Sequence, residues 1–141
     1  MTKVFLDANV IFSSIISASG GSAYIIELAK KKKLKLISSR LALKEVQRNL
    51  REKREDSDII KFYDLLAEIE ILLIDTNRLR AKKEHASLMG EKDAPILAAA
   101  LASKAEFLLT LDKKHFLNSK VAKANLPIKI VPPGEFIKKY L

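Results

Sequence analysis

Apolar and polar positions change period repeatedly along this chain, and the changes mark its elements. Val4-Phe5-Leu6 is a short apolar run closed by Asp7, and apolar residues then recur with helical spacing from Val10 to Ile16, up to the break at Gly20-Gly21. A strand followed by a helix is predicted. A second helical pattern over 23–33, with Ile25, Ile26, Leu28 and Ala29 apolar, leads into a strand from Leu34 to Ser38. Ser38 or Ser39 then caps a helix from about Arg40 to Lys53. Asp56-Ser57-Asp58 opens a further helix, and the unbroken run Ile71-Leu72-Leu73-Ile74 reads as a strand buried on both faces. Beyond it the pattern predicts a charged helix from about Asn77 to Leu88, a break at Gly90 and an Ala-rich helix over 94–104. The run Phe107-Leu108-Leu109-Thr110-Leu111-Asp112, a polar turn, a strand over 128–131 and a helix after Pro132-Pro133-Gly134 complete the chain.

Strands alternating with helices imply parallel pairing through right-handed crossovers, hence an α/β protein with an α/β/α layering. At 141 residues the expectation is one domain over 1–141. Hydrophobic residues at 48%, with only four Gly and four Pro, exclude disordered and fibrous classes. The absence of Cys excludes disulfides, thiolate nucleophiles and Cys-based metal sites, and two His cannot make a three-His site. The first apolar stretch meets an acid too early for a signal peptide, and no run approaches the ~20 residues that span a bilayer, so the expected location is the cytoplasm with no membrane partner. Twenty-six Lys and Arg against 17 Asp and Glu leave a net charge of +9, which favours polyanionic partners, nucleic acid first. The run Lys30-Lys31-Lys32-Lys33 is most simply the solvated end of a helix.

Ligands of open parallel sheets bind beyond the carboxyl ends of the strands. Three apolar runs end in an aspartate there: Asp7, Asp75 and Asp112. Any one of them alone reads as a cap for the following helix or turn. Glu45 is more informative. On the helix over 40–53, Leu41, Ala42, Leu43, Val46 and Leu50 form the apolar arc, and Glu45 projects between Leu41 and Ala42, where a carboxylate is costly unless paired or bound. A salt bridge to Arg48 or an edge position is the simpler explanation of Glu45 alone. Asp93 stands where an N-cap is expected, ahead of a helix that is apolar nearly all round.

The stretch Phe5-Leu6-Asp7-Ala8-Asn9-Val10, the isolated Glu45, the segment Lys92-Asp93-Ala94-Pro95-Ile96-Leu97-Ala98-Ala99-Ala100 and Leu109-Thr110-Leu111-Asp112-Lys113-Lys114-His115-Phe116 together resemble a PIN-domain nuclease of the kind that includes VapC-type toxins. No single motif is specific; the ordered set covers nearly the whole chain. The resemblance implies a five-stranded parallel sheet of order 3-2-1-4-5. Asp7 and Asp112 then meet at the central crevice with Glu45 and Asp93 above it, and Asp75 falls at the sheet edge in a structural role. It also implies an antitoxin and a second copy of the chain as partners.

Four crowded acids repel, by about 4 kcal/mol for a pair ~4 Å apart at an effective dielectric near 20. Mg²⁺ or Mn²⁺ reverses the sign, so Asp7, Glu45, Asp93 and Asp112 are the expected metal ligands and catalytic residues of an RNA-cleaving hydrolase. One ion would acidify a water as nucleophile and a second would stabilise the leaving oxygen. Asn9, Ser13 and Thr110 are expected to orient the first and last of these carboxylates, although Asn9 also makes a good N-cap and Thr a good strand residue. Glu91 could extend the ligand set. His115 and His85 read as surface residues, His115 with a lesser option of touching RNA or carrying a proton. Tyr24, Phe62, Tyr63 and Phe136 are expected in the core or a dimer face. Two alternatives stay open: a non-catalytic RNA- or protein-binding α/β domain, and a haloacid dehalogenase-type phosphatase, which would want an Asp where Asn9 stands.

Overall fold

The computed structural model describes residues 1–76 and 80–141. Five strands, β1 (Thr2–Leu6), β2 (Leu34–Ser39), β3 (Ile71–Ile74), β4 (Phe107–Leu109) and β5 (Lys129–Val131), form one parallel sheet in the order β3-β2-β1-β4-β5. The described helices are α1 (Ala8–Ile16), α2 (Gly21–Lys30), α3 (Arg40–Lys53), α4 (Asp56–Glu68), α5 (Lys83–Met89), α6 (Ala94–Ala102), α7 (Ser119–Ala122) and α8 (Pro133–Tyr140).

Successive side chains of a strand leave on opposite faces, and this alternation builds two cores. Val4 and Leu6 of β1, Leu36 of β2, and Phe107 and Leu109 of β4 join residues of α1–α4 and α8. Phe5, Ile37 and Leu108, one step out of phase, join α6 and residues of α5 and α7. The α/β/α layering and the strand order agree with expectation. Burial of α6 on nearly every side, with Ala94, Ile96, Leu97, Ala99 and Ala100 in the core, follows from its unbroken apolar sequence.

Three readings need correction. The run Ile71–Ile74 is an edge strand and not one buried on both faces: Leu72 is 46% exposed, because only β2 pairs with it. The charged helix begins at Lys83 and ends at Met89; the expected start at Asn77 lies outside the described residues. The polar turn before β5 contains the short helix α7, capped by Asn118, whose side chain accepts from the Val121 N–H. No single described helix is long and apolar enough to cross a membrane. Lys31, Lys32 and Lys33 are exposed beyond α2, and Lys30 pairs with Glu27 and Glu68.

The chain runs β1, β2, β3 outward in one direction and then returns to lay β4 and β5 on the other side of β1. Strand order therefore reverses between β1 and β4, which opens a crevice at their carboxyl ends. The Asp7 N–H donates to the Leu109 carbonyl at 3.0 Å and the Thr110 N–H to the Val131 carbonyl at 3.2 Å, so pairing continues past both strand ends and fixes the first residues beyond them.

Candidate active site

Asp7 follows β1 and opens α1. One of its carboxylate oxygens, Oδ1, accepts the Ala8 N–H at 2.8 Å, which makes it the N-cap of α1. The other, Oδ2, accepts the Thr110 hydroxyl at 2.8 Å and the Asn9 amide at 3.2 Å. Thr110 in turn accepts the Asp112 N–H at 3.1 Å, and the Asn9 carbonyl oxygen accepts the Leu111 N–H at 3.0 Å. Asn9 and Thr110 thus tie the end of β1 to the segment that carries Asp112. Burial raises the Asp7 carboxyl from the usual 3.8 to about 6, against the Thr110 and Ala8 hydrogen bonds and with added repulsion from Glu45 and Asp93.

Glu45 stands on α3, which Ser39 caps by accepting the Ala42 N–H at 3.0 Å. Ala42, Val46 and Leu50 are buried, but Leu41 is exposed, so the buried arc is narrower than expected and Glu45 sits half-buried at its margin. Among the ion pairs of the described residues there is none between Glu45 and Arg48. Glu45, Asn49 and Lys53 follow at one-turn intervals and all border the same cleft.

Asp93 holds the N-cap position of α6, yet its own backbone is helical and its side chain makes no capping hydrogen bond. Its carboxylate is turned to the cleft instead, and the expectation that capping accounts for it is corrected. Burial raises its pKa; His115 opposes this, and Asp112 and Glu45 add to it. The approach to Asp93 depends on Gly90, whose φ of 93° belongs to the left-handed side that favours glycine. The Gly90 N–H ends α5 on the Ala86 carbonyl at 2.8 Å, and the chain then turns along the cleft through Glu91 and Lys92.

Asp112 lies three residues beyond β4. Partial burial pulls its pKa up, but the backbone and side-chain hydrogen bonds of His115 outweigh this and hold it below the ordinary carboxylate value. Its Oδ1 accepts the His115 N–H at 3.0 Å, and its Oδ2 lies 2.9 Å from His115 Nδ1.

Asp7, Glu45, Asp93 and Asp112 all line one cleft of ≈ 370 Å³, together with Asn9, Phe12, Asn49, Lys53 and His115. Among the described residues no Lys or Arg forms an ion pair with any of the four acids; His115 approaches Asp93 and Asp112, and Lys92 acts on Asp93 only at longer range. Ser13, one turn past Asn9, is half-buried and does not line the cleft. Asp75 is exposed after the edge strand, away from it. A larger cavity of ≈ 690 Å³ beside β5 borders none of the four acids. Ligand atoms of Asp93, Asp112 and His115 lie within 4.8 Å of one another, while Asp7 and Glu45 line the same cleft outside that tight group. An acid-rich cleft of this kind suits a hard, oxygen-seeking divalent ion such as Mg²⁺ or Mn²⁺.

His115 is worth more than its sequence context suggests: it sits inside the cleft, and its spacing of three residues from Asp112 is the available signal. Asn49 and Lys53 are likewise legible as the one-turn continuation of Glu45. His85 is buried and not at the surface, and Tyr24 and Tyr63 are exposed while Phe62 and Phe136 are core residues. The place where a dehalogenase-type phosphatase would hold its second Asp carries the Asn9 amide, fully engaged with Asp7, Thr110 and Leu111.

A parallel α/β/α sheet with an acid-lined crevice where strand order reverses defines the class of this molecule. Residues 3–114 match the model of the PIN domain family, and the chain belongs to that family. It is also similar to a chain in the crystal structure of VapBC2 from Rickettsia felis bound to a DNA fragment from their promoter, with a TM-score of 0.61 and 18% sequence identity over 92% of this chain and 97% of that one. No curated protein matches the chain by sequence.

Proposed function

We propose that this protein is a metal-dependent endoribonuclease, the toxin of a toxin–antitoxin pair, in which Asp7, Glu45, Asp93 and Asp112 hold Mg²⁺ or Mn²⁺ in the cleft between the ends of β1 and β4. The observation that carries the reading is four carboxylates on one cleft without a Lys or Arg partner among the described residues, in a chain of net charge +9. Membership of the PIN family supports nuclease chemistry. Ions in the cleft would acidify a water and neutralise the phosphodiester under attack. The chain's own share is positional. Thr110, Asn9 and the Ala8 N–H hold the Asp7 carboxylate in one orientation, so that its ligand geometry is set before substrate arrives. Lys53, Lys92 and Asn49, which line the cleft, offer contacts to a phosphate backbone, which suits a strand bound largely through its phosphates.

The likeness to a VapBC complex supports an antitoxin as partner, and the exposed Ile60 and Tyr63 on α4 support pairing with a second copy. This reading places the protein in the cytoplasm, with its RNA substrate. The test is to incubate the protein with single-stranded and transfer RNA in Mn²⁺ or Mg²⁺. Cleavage that a chelator stops, and that Asp7→Asn or Glu45→Gln slows by at least about 100-fold, is expected, this being the upper end of what losing a metal-orienting group costs. RNA binding without cleavage, indifferent to metal and to Asp7→Asn, would replace it with the non-catalytic binding domain. Turnover of a phosphomonoester lost in Asp7→Asn would replace it with a phosphatase.

A further inference from the structure

His115 is placed as a ligand would be. Its Nδ1 lies 2.9 Å from Asp112 Oδ2 and 3.4 Å from Asp93 Oδ2, and one ligand atom from each of the three residues falls within 4.8 Å of the others. Adjacent ligands of an octahedral ion with bonds of about 2.1 Å stand about 3 Å apart and opposite ones about 4.2 Å, so the separation to Asp112 has the size of an octahedral edge and the one to Asp93 lies between edge and diagonal. His115 Nδ1 and Asp112 Oδ2 share a hydrogen bond, the contact that a shared ion would replace. Asp112 Oδ1 is occupied by the His115 N–H, which leaves Oδ2 to face the imidazole, and Asp93 caps nothing. The turn that follows β4 holds this arrangement: the Asp112 carbonyl accepts the Phe116 and Leu117 N–H groups at 3.2 and 2.9 Å, and Phe116 is buried in the core beside α6. His115 is therefore carried on an anchored turn with its ring half exposed at the cleft.

We propose that His115 is itself a metal ligand, binding through Nδ1 beside Asp93 and Asp112, and that this nitrogen makes the site select Mn²⁺ and later first-row ions over Mg²⁺. The inference rests on the metal-binding reading of the cleft and refines it. Carboxylate and water suit Mg²⁺, whereas an imidazole donor adds affinity for transition ions along the series that rises from Mn²⁺. A purely acidic cleft would discriminate less between these ions.

The measurement is Mn²⁺ binding by electron paramagnetic resonance, with electron spin-echo modulation to detect nitrogen bound to the ion, on wild type, His115→Ala and His115→Gln. His85, the other histidine, is buried and borders none of the cleft, so nitrogen coupling reports His115. Expected are a nitrogen coupling in wild type that both variants abolish, a loss of Mn²⁺ affinity of at least about tenfold, and a smaller loss of Mg²⁺ affinity, read by competition. Bound Mn²⁺ without nitrogen coupling, or equal losses for the two ions, overturns the ligand role while leaving the acidic metal site in place. No Mn²⁺ bound by wild type overturns both. Circular dichroism of the variants confirms that they fold, and unchanged Mn²⁺ coupling in a folded variant also overturns the role.

Discussion

Replacing Asp7 by Asn keeps the shape of the side chain and removes its charge, and the stability of the metal-free protein should register the difference as a function of pH. In wild type the folded-state carboxyl is raised from 3.8 to about 6. The folded protein therefore holds this proton more tightly than the unfolded chain does. Below pH ~3 both states are protonated and no penalty exists; as pH rises through the interval up to about 6 the folded state loses stability, and above it the full penalty stands. That displacement corresponds to about 3 kcal/mol. The Asp7→Asn side chain cannot ionise and escapes the penalty, but its amide would meet the Thr110 hydroxyl and the Asn9 amide where an acceptor stood, a loss of roughly 1–3 kcal/mol that does not vary with pH. The informative quantity is therefore the change in the difference between the two proteins, and not its value at one pH. Urea unfolding of both in chelator at a series of pH values should show the Asp7→Asn protein gaining about 3 kcal/mol on wild type between about pH 3 and about pH 7. A difference flat to within about 1 kcal/mol over that range would refute the argument, since it would mean that Asp7 is hydrated or compensated in a way its burial and neighbours do not allow.

Other outcomes follow from the same structure. Thr110→Val removes the hydrogen bond that most opposes the burial of Asp7, so the Asp7 titration followed by carbon NMR should move above its wild-type position; an unmoved titration would deny the contact. Adding Mn²⁺ at about 100 times its dissociation constant should stabilise wild type by about 2.7 kcal/mol and Asp7→Asn by much less, as read by thermal or urea unfolding. Lys53→Gln should weaken RNA binding similarly for all sequences and lower the slope of log affinity against log salt by about 0.7 for a single strand, whereas an unchanged slope would take Lys53 off the phosphate path. Leu97→Ala in the fully buried face of α6 should cost about 2–5 kcal/mol in urea unfolding, and a cost under about 1 kcal/mol would contradict the packing of that helix in the core.

Local pattern alone carries much of the molecule. Period-two and period-3.6 runs identify the strands and most helices, and Ser39 and the Gly90 break sit where their chemistry demands, whereas the short helix capped by Asn118 reads in the sequence only as a polar turn. The run of four apolar residues at Ile71–Ile74 misleads because hydrophobicity reports that a strand forms, not how many neighbours cover it. Pairing decides that, and β3 has one. Individual acids are legible as oddities, Glu45 most of all, but a capping Asp and a site Asp read alike until the side chain's direction is known. Asp7 does both, Asp93 caps nothing, and Asp75 ends a strand that the topology leaves at the edge. Which aspartates can meet depends on β4 returning to the far side of β1, a contact between residues about a hundred positions apart that periodicity cannot encode. His115 shows the same divide: its spacing from Asp112 is visible in the chain, but only the fold brings Asp93 to the same ring nitrogen.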